Sequence, residues 1–158
     1  ASLLIGIFEH QIKSAIALAA FIPIVLGMGG NVGTQTATII VRGLATGHVS
    51  QGVALRYLAR ETGIGLMLGA AYGILLGCYT VLSYGDLPYG LGLAATVALS
   101  ILASMTTSAS IGALTPLVFA RLRIDPAVAT GPIVTTSVDV VGILVYFMVA
   151  SAFLGQAS

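Results

Sequence analysis

Four long apolar runs dominate the sequence and restrict it to one broad class of fold. They cover residues 14–41, 62–85, 91–120 and 126–155. A helix needs about 20 apolar residues to cross a bilayer, so each run is long enough to form a span. Charged residues make up 7% of the chain, against about 25% in a typical soluble protein. The sequence therefore predicts an all-α membrane protein, a polytopic transmembrane helix bundle with four complete spans.

The first residues predict the end of one more helix. Residues 1–8 are apolar but too short to cross a bilayer. They also lack the basic segment and small-residue cleavage site of a signal peptide. We therefore expect residues 1–8 to be the end of a truncated first helix, followed by a polar break at Glu9, His10 and Lys13. Residues 1–158 then form a single transmembrane domain.

Charge and cysteine content restrict the possible partners. The net charge is +1 and there is no basic stripe, so the sequence gives no reason to expect a nucleic-acid partner. The single cysteine, Cys78, cannot form an intrachain disulfide or support a metal cluster. The lipid bilayer is the partner that the composition predicts.

Asp139 is the one charged residue inside the four apolar runs. It lies roughly 20 Å from either end of its run, close to the bilayer midplane. A charge there costs about 2.5–3.5 kcal/mol on insertion scales, and such residues usually face the bundle interior or a water-filled path. Gly131, Thr135 and Gly142 share its helix face. Hydroxyl and carboxylate oxygens suit a hard cation; the alternative is a protonated, hydrogen-bonded structural acid.

The run over residues 14–41 offers a second polar wall. Pro23 and the glycine-rich segment 27–33 (GMGGNVG) predict a bend or partial unwinding in its middle. Unwound backbone at membrane depth persists where it is buried in protein or lines water. Beyond this break, Thr34 and Thr38 lie one turn apart on one face. The sequence therefore predicts that this run lines a pore together with the run that carries Asp139.

Two other runs carry small residues at every fourth position, a spacing that allows transmembrane helices to pack closely. These residues are Gly65, Gly69, Gly73 and Gly77 in one run and Ser100, Ser104, Ser108 and Gly112 in the next. We interpret the glycine row as a packing surface. Asp125 followed by Pro126 predicts the N-cap and first residue of the last helix.

The basic residues predict how the chain is oriented. If the spans alternate in direction, the connections 42–61 and 121–125 lie on one side and carry five of the six basic residues. The positive-inside rule makes that side cytoplasmic. The chain is then a multi-pass protein of the cell (inner or plasma) membrane with its C-terminus outside.

Two stretches resemble the MgtE family of magnesium channels. They are residues 21–46 (FIPIVLGMGGNVGTQTATIIVRGLAT) and residues 125–147 (DPAVATGPIVTTSVDVVGILVYF). The similarity continues in order over essentially the whole chain. The resemblance implies a homodimeric membrane domain with five helices per subunit, whose second and fifth helices line a pore at the subunit interface. The family's cytoplasmic regulatory domains have no counterpart here, so the chain resembles an isolated pore domain.

The resemblance also implies roles for individual residues. Asp139 corresponds to the family's midplane carboxylate, which makes it the metal site for the transported Mg²⁺. The positions that contact the hydrated ion are Gly27 (through its carbonyl), Thr34, Thr38, Gly131 and Thr135. Some family members have asparagine where this chain has Gly131 and Thr34. In a dimer, two Asp139 carboxylates would match the +2 charge of one ion that keeps most of its waters.

Other functions fit the sequence less well. An intramembrane serine protease needs a histidine base at depth, and both histidines, His10 and His48, lie in polar connections. A two-aspartate protease would need the signature that accompanies such a dyad, and Asp139 lacks one. A proton- or sodium-coupled divalent-cation carrier remains the main alternative, because an interrupted helix and a midplane carboxylate also suit a carrier. A purely structural subunit predicts no flux.

Overall fold

The computed structural model describes residues 17–49, 53–87 and 89–154. In this part of the chain there are four α-helices, α1 (Ala17–Ala45), α2 (Ala54–Tyr84), α3 (Gly90–Arg121) and α4 (Pro126–Leu154). Each contains a stretch long and apolar enough to cross a membrane. For the described residues, the prediction of an all-α protein with four helices long and apolar enough to span a membrane is confirmed. The expected end of a first helix and the polar break at residues 9–13 lie outside the described residues, as do residues 14–16 and 155.

The helices extend further than the apolar runs that predicted them. The second helix begins at Ala54, eight residues before the predicted start at Thr62, and α1 continues to Ala45. Arg60 therefore lies within a helix, and its neighbour Glu61 is buried with 3% of its surface exposed. Arginine, glutamate, alanine and leucine are all strong helix formers. The polar residues marked the edge of the apolar run and not the end of the helix.

The predicted unwinding in the first complete span was wrong. The α1 helix is continuous through Pro23 and through the glycine-rich segment. Gly29 and Gly33 are buried, and a Cβ added at either would collide with Val138 or with a serine of α3. These glycines allow neighbouring helices to approach closely, and the resulting contacts offset their low helix propensity. Continuous helix also satisfies the backbone groups at membrane depth.

The helices alternate in direction, and α3 lies at the centre of the bundle, packed against all three others. Along α1, the contacts with α4 run from Leu18 against Tyr146 to Gly33 against Val138, so these two helices are antiparallel. The α2 helix packs almost entirely on α3. One side of α2 is therefore left open to its surroundings.

The α2–α3 contact is made through the predicted glycine row. A Cβ at Gly69 would lie 2.9 Å from the Cα of Leu102, and one at Gly73 would lie 2.6 Å from the carbonyl oxygen of Ala98. Both neighbours are backbone atoms, so the helices touch main chain to main chain. The interpretation of this row as a packing surface is confirmed.

The main core lies between α1, α3 and α4. Its largest fully buried side chains include Tyr146, Phe147 and Leu93. The Tyr146 hydroxyl donates a hydrogen bond of 2.7 Å to the carbonyl oxygen of Leu18. This bond joins the end of α4 to the beginning of α1, and burial makes it more costly to lose than an exposed one.

The link between α3 and α4 contains the expected cap. The carboxylate of Asp125 accepts a hydrogen bond of 2.9 Å from the backbone N–H of Ala127, in the first turn of α4. Pro126 occupies the first helical position, where a missing N–H has no cost. The prediction of an N-cap at Asp125 is confirmed.

Candidate functional site

The α4 helix divides into a buried face and an open face. Val134 and Val138 are fully buried and pack in one cluster with Ala37 of α1. On the neighbouring face, Gly131 and Thr135 are exposed. The predicted polar positions of α4 therefore point away from the protomer's own core.

Asp139 is half-buried at the edge of this open face. The apolar span of α4 is Gly131–Phe153, so its centre is at residue 142 and Asp139 lies about 4.5 Å from it along the helix axis. Within the part of the chain that the structure describes, its carboxylate has no hydrogen-bond or ion-pair partner. A hydrogen-bonded structural acid would need such a partner, so the geometry favours a carboxylate that is available to a ligand.

Gly142 departs from the predicted polar stripe. It is buried, and a Cβ there would lie 3.3 Å from Leu26 and 3.4 Å from the Ser104 hydroxyl. Gly142 lies three residues after Asp139, and this offset rotates Gly142 around the helix toward α1 and α3. Its grouping with the polar stripe was wrong, and its small size serves helix packing.

The α1 helix also has an open polar face. Gly27 and Thr38 are exposed and Thr34 is half-buried. Asn31 is exposed on the same face, one turn after Gly27 and three residues before Thr34. The sequence analysis did not select Asn31, although its spacing from Thr34 was the signal that could have found it.

Antiparallel packing brings the two polar faces to the same side at the same depth. A Cβ at Gly33 would lie 2.8 Å from a methyl group of Val138, so these residues are level. Thr34 follows Gly33 and Asp139 follows Val138. Each of these two residues is rotated by about 100° around its helix axis relative to the residue before it. Because the helices run in opposite directions, both rotations turn the side chains to the same side of the pair. The structure thus brings the predicted residues of α1 and α4 together on one surface.

The threonine hydroxyls are held in one orientation. Thr34 donates to the carbonyl oxygen of Gly30 at 2.8 Å, Thr38 to that of Thr34 at 2.8 Å, and Thr135 to that of Gly131 at 2.8 Å. A hydroxyl has one hydrogen and two lone pairs. With the hydrogen bonded to the helix, the lone pairs remain available to a cation or to the hydrogens of its bound waters.

An open pocket of about 340 Å³ lies on this surface and is lined by Thr34, Gln35, Thr38 and Ile39. Gly27 and Gly131 flank open space, because a Cβ at either would meet no atom within 4 Å. Gly27 lies in continuous helix, where its carbonyl oxygen keeps a second lone pair for a water. These two glycines are therefore not explained by packing within the protomer, unlike Gly29 and Gly33.

The described residues contain no group of three or more histidine, cysteine, aspartate or glutamate side chains that could hold a metal ion. The surface carries one carboxylate, that of Asp139, together with the threonine hydroxyls of α1 and α4. Such a surface suits an ion that keeps its water shell.

Comparison with known proteins identifies the family. The family model for MgtE, described as a divalent cation transporter, matches residues 22–149. The chain belongs to the MgtE family. All six predicted site residues and Asn31 fall inside the matched region, and the resemblance seen in the two sequence motifs is confirmed.

Individual MgtE relatives are similar over nearly the whole chain. A magnesium transporter MgtE from Thermus thermophilus is 36% identical over 93% of this chain and 32% of its own length. Those from Bacillus subtilis and Enterococcus faecalis are 32% and 33% identical over 96% of this chain. The chain spans about a third of the length of these relatives. Together with the four apolar helices, the matches support a multi-pass membrane protein of a transporter family and not of an enzyme family.

Proposed function

We propose that this chain forms one half of a Mg²⁺ channel, in which α1 and α4 of two copies line a pore at the dimer interface. Asp139 is the central ion site, and Gly27, Thr34, Thr38, Gly131 and Thr135 contact the hydrated ion. The observation that carries the proposal is an Asp139 carboxylate that has no partner among the described residues and that faces the same side as the threonines of α1, in a protein of a divalent cation transporter family.

Two copies are needed for charge balance and for enclosure. One Asp139 supplies a charge of −1, whereas the ion carries +2, and the polar face of a single protomer is open on one side. A twofold axis beside this face would bring two carboxylates to one ion and close the path. The open space at Gly27 and Gly131 leaves room for a second copy to approach.

The chemistry of the surface favours Mg²⁺ in its hydrated form. Mg²⁺ loses water reluctantly and prefers octahedral oxygen coordination. Lone pairs of Thr34, Thr38 and Thr135 can accept hydrogen bonds from the bound waters while the carboxylates supply the charge. Holding the ion through water keeps binding weak enough for release, which conduction requires. Selection against larger ions then depends on the size of the hydrated ion that the pore admits.

The positions of the arginines give the proposed orientation of the chain in the membrane. Arg42 lies at the end of α1, Arg56 and Arg60 at the start of α2, and Arg121 at the end of α3. Alternating helices place all of them at one end of the bundle. We assign this end to the cytoplasm by the positive-inside rule, with the C-terminus outside.

Flux measurements in liposomes separate a channel from the proton- or sodium-coupled carrier. The purified chain is reconstituted, and Mg²⁺ uptake is followed with an internal fluorescent indicator. A channel gives uptake down the Mg²⁺ gradient that does not change when a proton or sodium gradient is imposed. Uptake that requires either gradient would support the carrier, and absence of uptake would support a structural subunit.

Cross-linking tests the dimer interface. Single cysteines are placed at Gly131 or Thr135 in a Cys78→Ser background, with a cysteine at the exposed Met67 of α2 as the control. The interface positions should form disulfide-linked dimers in the membrane far more efficiently than Met67. Dimers that form preferentially through Met67 would refute this arrangement.

A further inference from the structure

A basic pocket lies at the start of α2, at the end of the bundle and away from the level of Asp139. It has a volume of about 240 Å³ and is lined by His48, Val53, Arg56, Tyr57 and Arg60. Arg56 and Arg60 are exposed and lie one helical turn apart. Neither guanidinium forms an ion pair within the described residues. Two uncompensated positive charges therefore face a common concave space.

The wall of this pocket opposite α2 is fixed in place. Val49 is buried, and its backbone N–H donates to the carbonyl oxygen of Gly43 at 3.0 Å. Gly47, in the turn that follows α1, has φ of 73°, which a residue with a side chain rarely adopts. The His48 ring nitrogen Nδ1 lies 2.9 Å from the Thr46 hydroxyl. These hydrogen bonds hold the chain that carries His48 in a defined turn beside α2.

The pocket is continuous with an exposed apolar face further along α2. Continuing from Tyr57 and Arg60 at helical spacing, this face carries Ile64, Met67, Leu68 and Leu75, all exposed. The opposite face of α2, with Gly65 and Gly69, is the one that packs on α3. A molecule seated along this side would meet positive charge at one end and only apolar surface below it.

The length of α2 places these two parts at different depths. Its 31 residues extend about 46 Å, whereas the hydrocarbon core of a bilayer is about 30 Å thick. The uncharged apolar run of α2 begins at residue 62, so we place the first two turns, with Arg56 and Arg60, in the headgroup layer. Residues from Ile64 onward lie beside the acyl chains.

We propose that the pocket binds the phosphate group of an anionic phospholipid whose acyl chains lie along the exposed face of α2. A guanidinium presents N–H donors in a planar fork that matches two phosphate oxygens. Arg56 and Arg60 supply two such groups, and the continuous apolar face accounts for a lipid in preference to a free phosphate. This inference does not depend on the ion pathway.

Native mass spectrometry of the purified chain in detergent tests the lipid site. Phosphatidylglycerol and phosphatidylcholine with identical acyl chains are titrated into the wild type and into a double variant, R56Q/R60Q. The matched control, R42Q/R123Q, removes the same charge from the same end of the bundle but leaves the pocket intact. Phosphatidylglycerol should bind roughly 30-fold more weakly to R56Q/R60Q. Its affinity for R42Q/R123Q should change by less than about threefold.

Several results would overturn the proposal. Equal losses in both double variants would indicate general attraction to a basic surface. Equal binding of the two lipids to the wild type would exclude recognition of the anionic group. Displacement of phosphatidylglycerol by inorganic phosphate at the same concentration would indicate a free-anion site. If R56Q/R60Q does not fold, as judged by size-exclusion chromatography, the single variant R60Q should still show a partial loss confined to phosphatidylglycerol.

Discussion

Replacing Gly73 by alanine should weaken the contact that holds α2 in the bundle. The added Cβ would lie 2.6 Å from the carbonyl oxygen of Ala98, and ordinary contact begins at 3.4 Å. The two helices must therefore separate by about 0.8 Å, the difference between these distances. The neighbour is backbone, so no side-chain rotation can relieve the collision. Because α2 packs almost entirely on α3, no other helix among the described residues can compensate.

The matched control is Gly63→Ala on the same helix, where the new Cβ would meet no atom within 4 Å. Alanine is favoured over glycine within a helix by about 0.8–1.0 kcal/mol, so this control should be slightly stabilised. Overpacking typically costs about 1–3 kcal/mol. After subtraction of the helix-propensity gain, Gly73→Ala should be destabilised by up to about 2 kcal/mol.

The assay is thermal unfolding of both variants in one detergent, followed by circular dichroism and by the size-exclusion profile of heated samples. We expect Gly73→Ala to unfold several degrees below the wild type and Gly63→Ala at or above it. If Gly73→Ala is at least as stable as Gly63→Ala, then backbone contact between α2 and α3 does not limit stability, and the reasoning is refuted.

Two further substitutions test other contacts by the same assay. Tyr146→Phe removes the buried hydrogen bond to the carbonyl oxygen of Leu18 and should cost about 1–3 kcal/mol, whereas Tyr79→Phe, at an exposed tyrosine, should have little effect. Asp125→Ala removes the cap on the Ala127 N–H and should cost about 0.5–2 kcal/mol, whereas Asp125→Asn should retain most of the stability; equal losses for alanine and asparagine would argue against a capping role.

The spans, the α2–α3 packing row and the cap could be predicted because each depends on local sequence. A membrane span requires a long segment with few charges. Close approach of two helices requires small residues at every fourth position. The cap requires Asp125 one residue before Pro126. None of these features depends on which helix lies opposite. Helix ends were less predictable. The charged residues at the start of α2 interrupt the apolar pattern, but they are also strong helix formers, so the helix continues through them.

The roles of individual glycines depended on the tertiary structure. Gly33 and Gly142 are buried in contacts with other helices, whereas Gly27 and Gly131 face open space. The same residue type thus serves packing at some positions and leaves a free surface at others. The prediction that α1 unwinds failed for this reason, since the packing partners of Gly33 are distant in sequence.

The shared polar surface of α1 and α4 could be anticipated only in part. Each helix showed its own polar face in the sequence, which selected Thr34, Thr38, Thr135 and Asp139. The similar depth of Thr34 and Asp139 follows from the level of Gly33 against Val138, and no sequence pattern specified that register. The roles of these residues in ion passage remain predictions.

Asp139→Asn tests the proposed ion site most directly. The substitution retains the shape of the side chain and removes its negative charge, so the fold and the dimer should persist. A divalent cation at this depth would then face neutral groups in a low-dielectric setting, where lost attraction is most costly. Asp86→Asn is the matched control, because Asp86 lies exposed in the turn between α2 and α3, where its charge is solvated and screened.

The measurement is Mg²⁺ uptake into liposomes that contain equal amounts of the wild type, Asp139→Asn or Asp86→Asn. Size-exclusion chromatography before reconstitution verifies that each protein has the same assembly state. Our account predicts that uptake falls to the level of empty liposomes for Asp139→Asn and stays near the wild-type rate for Asp86→Asn. Normal uptake by a folded Asp139→Asn variant would contradict the assignment of Asp139 as the ion site.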